Sequence, residues 1–256
     1  MKKDIEIAAQ MYTVRQYTQT EEGIAESLGK IKEIGYTSVQ ISAFGAYRPE
    51  FVRDLLQENG LRAVVTHTPY ERITGDTERV IEEHKIMQVP FVGLGYRRFS
   101  SLDETDAFLD EILPAARKIR DAGLRFAYHN HQWEFVRFHG VRPMDRILAR
   151  TSPDEFALIA DAYWLQYAGV SPQKFLRENA ERIALVHFKD MCIDASEGTQ
   201  RFAEIGAGNM DHDELVSVMR ETGIGCAAVE QDDCYGEDPF ACLRRSREYI
   251  QSRYGI

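Results

Sequence analysis

Short apolar segments alternate with amphipathic segments along the chain. Eight of the apolar segments are rich in β-branched and aromatic residues, and they cover residues 5–12, 36–42, 61–67, 89–95, 124–131, 156–161, 183–188 and 225–231. Near-continuous apolarity is typical of parallel strands that are covered on both faces, so each segment predicts a buried strand. Between them, residues 21–34, 48–59, 76–88 and 102–122 repeat apolar positions at helical spacing, which predicts helices.

Four predicted helix-to-strand junctions share one pattern, a glycine followed by an apolar residue, at Gly35-Tyr36, Gly60-Leu61, Gly123-Leu124 and Gly223-Ile224. Glycine takes the left-handed conformation that ends a helix, so the pattern predicts one turn used four times. Without a Pro-, Gly- or Ser-rich linker, this alternation favours a single (β/α)₈ TIM barrel over residues 1–256. An open doubly wound sheet is the alternative, weakened by the lack of a Gly-x-Gly-x-x-Gly turn after the first strand.

Composition narrows the range of partners. The chain has 41 acidic and 31 basic residues, and its net charge of -10 opposes binding to nucleic acid. No segment approaches the length of a membrane span, and the start lacks the apolar core of a signal peptide, so we expect a cytoplasmic protein without membrane association. The four cysteines are scattered, which favours reduced thiols. Assembly as a homo-oligomer is left open.

Polar side chains follow the predicted strands at their C-terminal ends, where parallel barrels carry their chemistry. Barrel closure brings the ends of strands five to eight around one mouth, and these ends carry Glu134, Asp161, His187 and Glu230. Three carboxylates and one imidazole in a confined site require a compensating cation. Mostly oxygen ligands with one nitrogen predict one divalent metal ion, Mn²⁺ first, then Mg²⁺ or Co²⁺, with Zn²⁺ left open.

At these residues the sequence resembles the sugar phosphate isomerase/epimerase family, also called the xylose isomerase-like barrels. The resemblance covers nearly the whole chain, and its most specific pieces are QMYTVR at 10–15, YHNHQWEF at 128–135, DAYWLQYAGVSP at 161–172, VHFKDM at 186–191, EIGAGNMD at 204–211 and VEQDDCYGEDPF at 229–240. Within the family the sequence is similar to a bacterial subgroup, some members of which act on 3-keto-glycosides as epimerases or deglycosylating lyases.

The resemblance implies roles for individual residues. It assigns the metal to Glu134, Asp161, His187 and Glu230, and the movement of the substrate proton to Glu134 and Glu230. The family's strand-five glutamate lies in a differently spaced motif, so His129 or His131 is the alternative ligand on that strand.

This site predicts proton transfer next to a carbonyl in a sugar or keto-sugar. A metal that binds the carbonyl oxygen acidifies the neighbouring C–H, one side chain removes the proton, and a second returns it. Return of the proton gives epimerisation or isomerisation. Loss of a leaving group from the same intermediate gives a dehydratase or keto-glycoside lyase, which is the alternative.

Other polar residues near the strand ends are candidates for contact with the substrate. We expect Lys189 to stabilise an anionic oxygen and His131 to carry a proton. Sugar contacts are predicted for Tyr12, His67, His129, Trp133 and Trp164, although core packing is a common use of tryptophan. No phosphate-binding loop is evident. Two further functions, an apurinic endonuclease and a noncatalytic partner subunit, are disfavoured by the net charge and by the intact ligand set, respectively.

Overall fold

The computed structural model describes residues 5–256. Its main sheet contains β1 (Glu6–Gln10), β2 (Ser38–Ile41), β3 (Arg62–Thr66), β4 (Phe91–Leu94), β5 (Arg125–His129), β6 (Ala157–Asp161), β7 (Ile183–Phe188) and β10 (Cys226–Val229). The strands are hydrogen-bonded in the order β3-β2-β1-β10-β7-β6-β5-β4, with every paired strand parallel. All eight predicted strands therefore form.

Ten α-helices lie in the described part of the chain: α1 (Glu21–Ile34), α2 (Pro49–Glu58), α3 (Tyr70–Gly75), α4 (Thr77–Met87), α5 (Leu102–Asp121), α6 (Pro143–Arg150), α7 (Ala162–Tyr167), α8 (Pro172–Asn179), α9 (His212–Thr222) and α10 (Pro239–Tyr254). The four predicted helices correspond to α1, α2, α4 and α5. The repeated glycine turn is also confirmed, because all four glycines have positive φ angles, between 59° and 103°.

The barrel closes between β3 and β4. The amide of Thr68 donates to the carbonyl of Gly93 at 2.7 Å, which joins the two edges of the sheet. A Cβ atom at position 93 would lie 2.1 Å from the carbonyl oxygen of Thr66, so this approach requires glycine. Together with the parallel strand order, this contact confirms the predicted (β/α)₈ barrel.

The interior of the barrel has an apolar floor below a polar layer. Small and branched side chains fill the floor: Ala8, Val64, Val65, Ala127, Ala157, Ile159, Leu185 and Ala228. A larger apolar core separates the sheet from the helices. Buried polar side chains occupy the C-terminal ends of the strands: Gln10, Gln40, His129, Asp161, His187 and Glu230. The fold thus places its buried polar groups where the sequence predicted the site.

Two elements differ from the predicted pattern. The first apolar segment ends as a strand at Gln10, whose side chain accepts a hydrogen bond from the amide of Tyr12 and starts a 3₁₀ helix (Met11–Tyr17). An antiparallel hairpin of β8 (Asp190–Ile193) and β9 (Gln200–Ala203) follows β7. Its strands mix polar and apolar residues, so periodicity did not reveal them. None of the helices within residues 5–256 is long and apolar enough to cross a membrane.

We predict that Gly93→Ala lowers the free energy of unfolding by about 1–3 kcal/mol, the usual cost of forcing a side chain into a packed region. Urea denaturation measures the change. The control is Gly75→Ala at the end of α3, because a Cβ atom there meets nothing within 4 Å. Equal stability of the two variants would contradict the closure contact.

Candidate metal centre

Four buried side chains meet at the C-terminal end of the barrel. His129 and Asp161 end β5 and β6, His187 lies near the end of β7, and Glu230 follows β10. One ligand atom from each lies within 4.8 Å of the others. The His129 Nε2 to Asp161 Oδ2 distance is 3.0 Å, and the His187 Nδ1 to Glu230 Oε2 distance is 2.9 Å. All four residues are at most 4% exposed.

Neighbouring carbonyl groups orient both imidazoles. His129 Nδ1 donates to the carbonyl of Gly95 at 2.9 Å, which leaves the lone pair of Nε2 facing Asp161. His187 Nε2 donates to Oε1 of Gln40 at 2.8 Å, which leaves Nδ1 facing Glu230. Fixing the outer nitrogen of an imidazole in this way is the usual means of presenting the inner nitrogen to a metal.

The ligand atoms fit a divalent cation. His187 Nδ1 and Glu230 Oε2 are both buried, and within residues 5–256 their 2.9 Å contact does not have the geometry of a hydrogen bond. Two imidazole nitrogens and two carboxylate oxygens form a ligand set that suits first-row transition metals and zinc. The two oxygens of Asp161 have different partners. Oδ1 accepts a hydrogen bond from the amide of Trp164 at the start of α7, and Oδ2 faces the cluster.

Lys189 places a positive charge against the same carboxylates. Its buried Nζ lies 3.2 Å from Asp161 Oδ2, 3.0 Å from Glu230 Oε2 and 3.0 Å from an oxygen of Asp232. Burial favours the neutral amine, but the three carboxylates outweigh it and raise the pKa of Lys189 well above its usual value. Burial raises the pKa of Asp232 to about 7, because the lowering effect of Lys189 is too small to offset burial and the negative charge of Glu230 raises the pKa further.

The charges of the cluster depend on one another. Burial opposes ionisation of Asp161, but Lys189 and the two imidazoles hold the pKa of this carboxyl well below its usual value. Burial alone would lower the pKa of His187, yet Glu230 and Asp161 raise it. Burial and the adjacent His187 lower the pKa of His129. The carboxylates of Asp161 and Glu230 therefore stay ionised, and they require the positive charge around them.

The structure does not bring Glu134 into this cluster, which corrects its prediction as a member of the ligand set, whereas its role as a proton carrier stays a prediction. Tyr128 OH donates to Oε1 of Glu134 at 2.5 Å, and the amide of His131 donates to Oε2 at 2.8 Å. Side chains alternate along β5, so Tyr128 packs outward against Phe108 while His129 points into the barrel. His129, the alternative left open by the sequence, takes the place predicted for Glu134. Burial raises the pKa of Glu134 to about 7.

A cavity of about 740 Å³ opens above the four ligands, within the range usual for small-molecule sites. The predicted site residues that line it are Tyr12, His67, His129, His131, Lys189 and Glu230. His131 lies with its ring 4.6 Å from that of His129, and its Nδ1 is buried without a hydrogen-bond partner. His67 is held by hydrogen bonds to Gln40 and Ser42, at 2.7 and 3.1 Å.

The two tryptophans predicted to contact sugar are outside the lining of this cavity. Trp133 lies beneath the guanidinium of Arg98, at 4.3 Å. Trp164 borders the site, because its ring lies 5.5 Å from that of His131 and 5.7 Å from Nζ of Lys189. Both tryptophans therefore support residues of the cavity wall.

Sequence reasoning missed two residues that organise the site. Gln40 bridges His187 and His67 through its amide, and the available signal was a glutamine between the apolar residues Val39 and Ile41 of strand β2. Asp232 holds Lys189 from the loop after β10, where the run of acidic residues reads as a solvated loop. The guanidinium of Arg15 fixes this loop by donating to the carbonyl of Asp232 at 3.1 Å.

Comparisons with known proteins agree with this architecture. The chain is 24% identical over 250 residues to an inosose dehydratase from Clostridium beijerinckii, covering 88% of this chain and 79% of that protein. A sugar phosphate isomerase/epimerase from Parabacteroides distasonis has a TM-score of 0.82 at 22% identity, covering 99% of this chain and 95% of that one. The IolI protein with a bound zinc atom has a TM-score of 0.73 at 13% identity, covering 97% of each chain.

A family model supplies the assignment. The model described as the xylose isomerase-like TIM barrel matches residues 28–252, which include all four clustered ligands and seven of the eight barrel strands. The chain belongs to the xylose isomerase-like TIM barrel family.

Proposed function

We propose that this protein is a divalent-metal-dependent enzyme that moves the proton next to a carbonyl of a sugar-like substrate, as an isomerase or epimerase. The observation that carries the proposal is the cluster of His129, Asp161, His187 and Glu230, two of which, His129 and Glu230, line a cavity of about 740 Å³. Two further groups, Lys189 and His131, line the same cavity and differ in charge.

The metal ligands in this proposal are His129 Nε2, Asp161 Oδ2, His187 Nδ1 and Glu230 Oε2. Two nitrogens in place of the predicted one shift the preference from Mg²⁺ towards Mn²⁺, Co²⁺ or Zn²⁺. The structurally similar IolI protein binds a zinc atom, which supports a bound metal in this chain. When bound, a divalent ion polarises a carbonyl oxygen and acidifies the C–H beside it.

His131 is the proposed base. Burial and the neighbouring His129 lower the pKa of His131 well below its usual value, so the imidazole is neutral near pH 7 and able to accept a proton. Its Nδ1 has no hydrogen-bond partner among residues 5–256. Glu134 acts as a positioning residue, because its carboxylate holds the backbone amide of His131 at 2.8 Å.

Lys189 is the proposed partner of this base. Its ammonium stays charged because three carboxylates surround it. A fixed positive charge at the cavity wall stabilises negative charge that develops on a substrate oxygen. A neutral base and a charged stabilising group are the two components that proton abstraction next to a carbonyl requires.

Dehydration is the second candidate, and the similarity to an inosose dehydratase favours it. Elimination of water uses the same proton abstraction, followed by loss of a hydroxyl group from the next carbon. The ammonium of Lys189 is suited to stabilise negative charge on that oxygen as it leaves, and the proton taken up by His131 completes the water that is lost. Elimination from a keto-glycoside follows the same course with a different leaving group.

Deuterium exchange separates these outcomes. The metal-loaded protein is incubated in D₂O with ketoses, inososes and 3-keto-glucosides, and the products are identified by NMR. Deuterium at one carbon with the hydroxyl groups retained identifies an isomerase or epimerase. Loss of water identifies a dehydratase, and loss of the aglycone identifies a lyase. Absence of exchange across the panel would contradict the proposed proton transfer.

We predict that His129→Ala weakens Mn²⁺ binding by roughly 100-fold or more, because loss of even a supporting residue commonly costs 10–100-fold. Isothermal titration calorimetry measures the affinity. His139→Ala, which removes an exposed histidine, is the matched control. Glu134→Gln is expected to bind Mn²⁺ almost as the unmodified protein does, and a large loss in this variant with none in His129→Ala would restore Glu134 as the ligand.

We also predict that His131→Ala and Lys189→Met each lower turnover by at least ~10²-fold, the lower end of general acid–base contributions. Steady-state rates on the substrate found by exchange measure the effect, and metal analysis confirms that each variant retains its ion. Full turnover in His131→Ala with metal bound would move the proton chemistry to Glu230 or Lys189.

A further inference from the structure

The loop after β4 reaches the cavity from the side opposite Glu230. In the strand order, β4 and β10 are four strands apart in a barrel of eight, so their C-terminal ends face each other across the mouth. Arg97 and Arg98 lie in the loop after β4, and both line the cavity. The cavity therefore extends from the metal ligands to a pair of adjacent arginines.

Both guanidinium groups are oriented by aromatic rings. The guanidinium carbon of Arg97 lies 4.7 Å from the centre of the Tyr70 ring, and that of Arg98 lies 4.3 Å from the Trp133 ring. An arginine stacked in this way gains cation–π stabilisation and keeps its in-plane N–H groups available for a ligand.

Neither arginine has an acidic partner. Among the ion pairs and side-chain hydrogen bonds of residues 5–256, none involves Arg97 or Arg98, and Nε of Arg97 is buried without a hydrogen-bond partner. The nearby Glu104 instead accepts hydrogen bonds from the amide and hydroxyl of Ser100, at 2.8 and 2.6 Å. Glu71 lines the cavity without bonding to either arginine.

Two guanidinium groups without an ion-pair partner among residues 5–256 thus line one cavity. An oxyanion supplies the missing opposite charge, and the fork of N–H groups on arginine matches the oxygens of a carboxylate or phosphate. The sequence showed no glycine-rich phosphate loop. Here side chains, rather than backbone amides, supply the donors.

We propose that Arg97 and Arg98 form an anion-binding site for a carboxylate or phosphate group on the substrate, at the end remote from the reacting carbonyl. The carbonyl of Gly95 accepts a hydrogen bond from His129, the proposed metal ligand. Arg97 and Arg98 follow Gly95 by two and three residues, so their Cα atoms lie at most roughly 7–11 Å from that of Gly95. The inference rests on the proposed function for the reacting end, and it names the substrate class as a sugar acid or sugar phosphate.

Equilibrium binding tests this site without relying on turnover. Calorimetry at constant ionic strength compares D-glucose 6-phosphate, D-glucuronate and D-glucose as probes, with the protein both metal-loaded and metal-free. We expect at least one anionic probe to bind 10-fold or more tightly than glucose in both forms, and the tighter of the two identifies phosphate or carboxylate. Equal binding of all three probes would overturn the proposal.

Variants assign the preference to the arginines. In Arg97→Met/Arg98→Met the preference for the anion is expected to disappear while glucose binding is retained, and thermal unfolding checks that the variant is folded. The control is Arg244→Met on the exposed side of α10, which removes one positive charge where the double variant removes two. This control is expected to keep the preference for the anionic probe. If the double variant still preferred the anionic probe, the anion would bind elsewhere and the proposed site would be overturned. The same holds if only the metal-loaded protein showed the preference. Absence of deuterium exchange would bear on the proposed function alone.

Discussion

The site depends on keeping the carboxylates of Asp161 and Glu230 ionised inside the barrel. Removing a carboxylate from water costs several kcal/mol, and that cost is offset where opposite charge and hydrogen bonds surround it. Lys189 supplies one positive charge within 3.2 Å of both groups. The inner nitrogens of His129 and His187 face the same carboxylates, and the four side chains could hold a divalent cation that would complete the compensation.

The fold supplies this arrangement through backbone contacts at the strand ends. Gly95 illustrates the connection, because its carbonyl fixes the tautomer of His129 while a Cβ atom at its position would lie 2.7 Å from the ring of His67. The same residue thus allows the histidines to stack and begins the loop that carries Arg97 and Arg98. The position of His129 and that of the proposed anion site are therefore connected through the few residues that follow β4.

The sequence predicted the parts of the structure that follow from periodicity. The eight strands, the helices between them and the glycine turns each leave a repeated apolar or conformational signal. It predicted Asp161, His187 and Glu230 because each lies at or near the end of its strand. The strand-five ligand was harder, since YHNHQWEF offers three candidates, and the alternation along the strand excludes Tyr128 but does not separate His129 from His131. Pairings between distant segments, such as Lys189 with Asp232, leave no local signal.

The central claim is that one divalent ion binds between two histidines and two carboxylates. A crystal grown with Mn²⁺, measured with X-rays above and below the manganese absorption edge, tests it most directly. The account predicts one anomalous peak within about 2.0–2.6 Å of His129 Nε2, Asp161 Oδ2, His187 Nδ1 and Glu230 Oε2. A peak bound by Glu134 in place of His129, or no peak at the end of the barrel, would contradict it.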